Sequence, residues 1–155
     1  QVLLRVSGVK ILRVNVEQKM DKQLKSRRRS VDYNELFYLI DYKIRIKKSY
    51  LNPSLSLKDV CLMVGTNRTY ASRAVATRYK NFQSYLSIIR LESLLDEFFS
   101  SELFYKDWEE TEELALRHGF QSRRSLDRAM IKEMGVTFSK MIRLRESGAK
   151  REFFQ

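Results

Sequence analysis

The chain has 155 residues and carries 30 Lys and Arg against 19 Asp and Glu, a formal charge of +11. Its one cysteine, Cys61, excludes an internal disulfide and any multi-cysteine metal site, and there is no run of about 18 apolar residues to cross a membrane. One Pro and five Gly leave long stretches free of helix breakers, which favours an all-helical fold; the positive charge favours a polyanionic partner, nucleic acid or an acidic membrane surface.

Residues 1–16 alternate through Val9, Ile11, Leu12, Val14 and Val16, compatible with a short extended or hairpin segment around Ser7-Gly8. No signal peptide is expected, because Arg5, Lys10 and Arg13 interrupt the apolar residues. Residues 17–30 are almost devoid of apolar side chains and end in Ser-Arg-Arg-Arg-Ser. They read as a solvated basic linker or an arm along a phosphate backbone, so 1–30 is expected to be a tail, the remnant of an upstream region.

From Asn34 the spacing of Leu36, Phe37, Ile40, Ile44 and Tyr50 predicts a helix running to Asn52-Pro53. Ser56 and Asp59 have capping-box spacing, Leu57, Val60, Cys61 and Val64 form the stripe of a short helix, and Gly65 stops it. A second short helix is expected over about 68–78, with Tyr70, Ala71, Ala74 and Val75 inward and Thr69, Ser72, Arg73 and Ala76 outward. Helix, glycine corner and helix with a small, polar, basic free face together have the form of a helix-turn-helix.

The stretch 82–100 predicts one long helix with two apolar stripes: Phe82, Tyr85, Leu86 and Ile89 in its first half, Ile88, Leu91, Leu95 and Phe98 in its second. At about 100° per residue these stripes point to nearly opposite sides, so the helix is a strut roughly 28 Å long between two small helical units. Arg90, midway along it, is expected to satisfy helix ends rather than touch a ligand.

Beyond the strut the pattern recurs. Asp107 and Glu110 start a helix through Leu114, Ala115 and His118; Gly119 turns the chain; and a helix over 122–134 turns Leu126, Ala129 and Met130 inward and Arg124, Asp127, Arg128 and Ile131 outward. Setting Gly65 over Gly119 places Cys61 over Ala115. With one extra residue in the second corner, Ala71 falls over Leu126, Arg73 over Arg128 and Val75 over Met130, an internal quasi-repeat. A last helix over 137–145 and a frayed end over 146–155 complete the reading.

The segments SLSLKDVCLMVGTNRTYASRAV, KNFQSYLSIIRLESLL and ELALRHGFQSRRSLDRAMIKEMGVT resemble the DNA-binding domain of the AraC/XylS family of bacterial transcription regulators, in the form found in Bacteroidetes. The resemblance covers roughly 51–145 and rests on Asn67-Arg68-Thr69-Tyr70, Asn81-Phe82, Ile89-Arg90-Leu91 and Gly119-Phe120-Gln121-Ser122. It implies a domain over 31–145, with helix-turn-helix units at about 55–79 and 108–134 joined by the 82–100 helix. It further implies an all-α fold of seven helices that sets two recognition helices into successive major-groove segments about 34 Å apart. Departures are Ala71 for a usual Leu, Leu126 and Met130 for two Phe, His118 for an aliphatic, Phe138 for a Pro, and no tyrosine near Met141. The second unit is the more divergent.

An arginine fork can donate two hydrogen bonds to guanine, so Arg73 and Arg128 are expected to read bases, with Arg68, Thr69 and Ser72 beside the first and Arg124 and Asp127 beside the second. Asp127 could instead orient Arg124 or Arg128. Tyr79, Lys80, Asn81, Gln121, Ser122, Arg123, Lys132 and Arg143, at corners and helix ends, are expected to bind phosphates. No acid-base, nucleophilic or metal constellation is visible: His118 and Cys61 face the core, and Glu109, Glu110, Glu112 and Glu113 favour a helix dipole. The expected protein is therefore not an enzyme and has no cofactor. It is a cytoplasmic, nucleoid-associated regulator binding double-stranded DNA and RNA polymerase, and a homodimer through an upstream region. The alternative is a protein-interaction module that keeps this fold and binds DNA without sequence preference.

Overall fold

The computed structural model describes residues 31–101 and 107–147; the alternation expected before residue 17, the basic run at 26–30 and the end from 148 lie outside them. Among the described residues there is no strand. Seven α-helices and a 3₁₀ turn follow in order: α1 Tyr33–Ile46, the turn Ser49–Leu51, α2 Leu57–Val64, α3 Arg68–Ala76, α4 Phe82–Ser100, α5 Trp108–Arg117, α6 Arg123–Met134 and α7 Phe138–Glu146. The described residues are all-α, as the scarcity of breakers suggests.

Short polar residues start the helices. Ser56, Asn67, Asn81, Asp107, Ser122 and Thr137 each stand at an N-cap, and each side chain accepts a hydrogen bond from the backbone N–H three residues on. These bonds satisfy donors that a helix cannot pair internally. Ser56 and Asp59 form the full capping box, with Asp59 Oδ2 accepting from the Ser56 N–H at 2.9 Å.

The first helix ends earlier than its apolar spacing suggests. α1 stops at Ile46, Lys48 adopts a left-handed conformation (φ 50°), and Tyr50 belongs to the separate 3₁₀ turn. Tyr50 still packs against the first core, so the spacing located its burial but not the break.

α4 divides its two sides between two cores. Phe82, Tyr85, Leu86 and Ile89 pack with Phe37, Ile40, Ile44, Val60, Ala71 and Val75; Leu91, Leu94, Leu95 and Phe98 pack with Leu114, Leu126, Met130, Phe138 and Met141. Ile88, expected in the second stripe, is only half-buried and belongs to neither core, whereas Leu94 is fully buried. The second stripe therefore begins at Leu91, one turn later than read. Aromatic volume missing from α6 is supplied by other helices: Phe98 and Phe138 meet edge-to-face with centroids 5.1 Å apart.

Candidate nucleic-acid interface

The two helix-turn-helix units repeat in atomic detail. Gly65 and Gly119 both take the left-handed conformation at the corner, with φ of 70° and 80°. The residue after each donates to the carbonyl five positions back, Thr66 to Cys61 and Phe120 to Ala115, both at 3.0 Å. The following helices, α3 and α6, bury Ala71 and Val75 in one unit and Leu126 and Met130 in the other. Their opposite faces are free.

On α3 that face carries Arg68, Thr69, Ser72 and Arg73, all exposed. Arg73 Nη1 donates to the Tyr33 hydroxyl at 3.2 Å, so the first turn of α1 orients the guanidinium. Tyr70, expected to point inward, is 38 % exposed and lies edge-on to Tyr33 at 6.2 Å. The small Ala71 and Ala74, with Val75, fill the inward side. Tyr33 was not foreseen as part of this face, although it extends the Phe37, Ile40, Ile44 stripe back by one turn.

On α6, Arg124 and Arg128 are exposed and available. Asp127 orients neither of them. Its Oδ1 accepts the backbone N–H of Phe138 at 2.9 Å, and its Oδ2 lies 3.9 Å from Arg123 Nε, so the carboxylate holds the start of α7.

The residues expected at phosphates fall into two groups. Lys80, Gln121 and Arg143 are exposed at corners or helix ends. Asn81 and Ser122 spend their side-chain oxygens as N-caps. Tyr79 is half-buried between the rings of Phe37 and Tyr85, with centroids at 5.7 and 5.1 Å. Arg123 is mostly covered: it lies over the Trp108 ring at 4.2 Å and donates to Ser139 Oγ at 2.6 Å, while its Nε is buried without a hydrogen-bond partner. Lys132 is exposed but donates to Ser84 Oγ at 3.2 Å and pairs with Glu133. Trp108, 63 % exposed beside Arg123 and Arg143, was not foreseen; its place at the first position of a helix capped by Asp107 was its only sequence signal.

Behind these faces a polar seam joins the units. Arg90, buried on α4, donates to the carbonyls of Tyr50 at 2.7 Å and Asn52 at 2.8 Å. It serves the 3₁₀ turn, the helix-end role expected of it. His118, also buried, bonds Ser93 Oγ through Nδ1 at 3.0 Å and Glu97 Oε2 through Nε2 at 2.9 Å. Burial pushes its pKa below the ordinary value, against the opposing pull of Glu97. In the neutral ring Nε2–H donates to the carboxylate and Nδ1 accepts from the serine, so both nitrogens are satisfied.

The helix arrangement matches a solved structure over most of both chains. The C-terminal domain of AraT, a response regulator from Geobacillus stearothermophilus, superposes with a TM-score of 0.56 at 24 % identity, covering 77 % of this chain and 89 % of that one. The two share one fold. No protein-family model matches the sequence, and no curated protein does. The fold held in common is the helical one described above.

Proposed function

We propose that the protein is a DNA-binding transcription regulator of the AraC/XylS kind, which reads two successive major-groove segments with α3 and α6. The observation that carries this reading is the matched exposure of Arg73 and Arg128 at equivalent positions of two helix-turn-helix units. Arg68, Thr69 and Ser72 assist the first and Arg124 the second, while Lys80, Gln121 and Arg143 take phosphates. Asn81, Ser122, Asp127 and Arg123 act through the helix starts that they hold, Lys132 through Ser84 and Tyr79 through its packing between Phe37 and Tyr85. The likeness to a response regulator's C-terminal domain and the +11 charge support it. On this reading 31–145 is the DNA-binding domain of a regulator in the bacterial cytoplasm, which recruits RNA polymerase and dimerises through an upstream region.

One observation favours the interaction-module alternative. α5 begins with exposed Asp107, Glu109, Glu110 and Glu113, an acidic helix start that repels phosphate. Selection from a random DNA pool at moderate salt separates the readings. Two-unit reading yields two blocks about ten base pairs apart, one lost with Arg73→Ala and the other with Arg128→Ala. Tight binding with no selected motif would establish the alternative.

A further inference from the structure

A second helix-turn-helix unit attached only through a long helix could roll about it, yet here its corner is pressed against the first unit. A Cβ built on Gly119 would lie 2.5 Å from the Tyr50 carbonyl oxygen, 3.0 Å from Leu51 C and 3.0 Å from Arg90 Nε, so no side chain separates the corner from the 3₁₀ turn. Next to it, the Tyr50 hydroxyl is 3.5 Å from Ser93 Oγ, and Ser93 Oγ is 3.0 Å from His118 Nδ1. On the far side of the ring, Glu97 holds Nε2 with one carboxylate oxygen and Arg117 with the other, at 2.9 and 2.8 Å. One polar chain thus runs from the first unit's turn, through the strut, to the second unit's corner.

We propose that this seam is a latch that fixes the rotational phase between the two units, with His118 as its positioning residue. Directional hydrogen bonds on a buried ring, with half-buried partners, specify one arrangement, where an apolar contact of the same area would allow several. Combined with the proposed DNA reading, on which this part rests, the latch makes the protein accept its two sequence blocks at one spacing only.

The test uses the full chain with spin labels at Leu62→Cys on α2 and Leu116→Cys on α5, both exposed, in a Cys61→Ala background. His118→Leu removes both ring bonds; Ser93→Ala removes the middle link and serves should the former fail to fold. The latch predicts a narrow distance distribution between the labels in the parent and a broadened one in each folded variant. An unchanged width overturns it. In parallel, affinities are measured for duplexes carrying the selected blocks at native spacing, at one added base pair, and singly. The penalty for the added base pair should fall at least about fivefold in the variants, with single-block affinity unchanged. Broadened labels with an unaltered spacing penalty would overturn the link to site choice. Broadened labels on a protein that selects no motif would keep the latch and overturn the DNA reading.

Discussion

At the scale of residues, the polar groups with the largest consequences are those whose partners lie far away in sequence. His118 meets Glu97 and Ser93, 21 and 25 positions earlier, and Ser93 meets Tyr50 43 positions before it. Helical periodicity places such a histidine inward but names none of its partners, so a buried role was legible and the seam was not. The exposed arginines were legible because position on a helix is enough to expose them; Tyr33, which orients Arg73, was not, because it acts between helices. A pH dependence follows from His118. Its pKa in the fold is lowered from the ordinary 6.5, so below about 6.5 the unfolded chain takes up a proton that the folded ring resists. The stabilisation is present in full above that value and declines as pH falls toward the depressed one. Thermal melts at about pH 7.5 and about pH 5.5, above the usual carboxylate range, should show a larger loss for the parent than for His118→Gln. Equal losses would mean that the folded ring takes up its proton as readily as the unfolded one.

At the scale of elements, legibility follows from how local the signal is. The caps at Ser56 and Asp107, the two corner glycines and the span of the strut all rest on residues within a turn or two of one another, and these appear where the sequence puts them, whereas Asn81 and Ser122, expected at phosphates, proved to be caps. The end of α1 rests on Lys48 turning left-handed, which no lysine announces, and the apolar spacing ran on past it to Tyr50. The strut's second stripe failed by one turn for a related reason: apolar residues recur on several sides of the helix from Ile88 to Leu95, and only the partner helices decide which of them are covered. The buried set Leu91, Leu94, Leu95 and Phe98 has spacing i, i+3, i+4 and i+7, leaving Ile88 outside both cores. Removing side-chain volume reads out the difference. Leu94→Ala should cost about 2 to 5 kcal/mol, within the range for a fully buried leucine, and Ile88→Ala about 1 kcal/mol. Urea unfolding of the two variants side by side measures both, and comparable costs would return Ile88 to the second core.

At the scale of the whole molecule, charge and shape make separate contributions that one experiment can divide. The net +11 attracts any polyanion and carries no sequence information, whereas on the proposed reading discrimination comes from two arginine faces held in fixed phase. The charge is also uneven, because exposed Glu109, Glu110 and Glu113 on α5 oppose phosphate close to α6. Phosphate grip should therefore be concentrated at the first unit and at the corner leading into the strut, where Lys80 is exposed beside the start of α4. Each phosphate contact releases counterions, so the logarithm of affinity falls with the logarithm of salt in proportion to the number of contacts. Lys80→Ala should lower the magnitude of that slope by about 0.9 and leave the preferred sequence unchanged. Arg128→Ala should keep most of the slope and relax preference at the second block, at roughly 1 to 3 kcal/mol per base pair no longer read. Titration of both variants against the selected duplex and a scrambled one, over a series of salt concentrations, gives slope and preference together. If Arg128→Ala moved only the slope and Lys80→Ala only the preference, the roles of the α6 face and the strut corner would be exchanged.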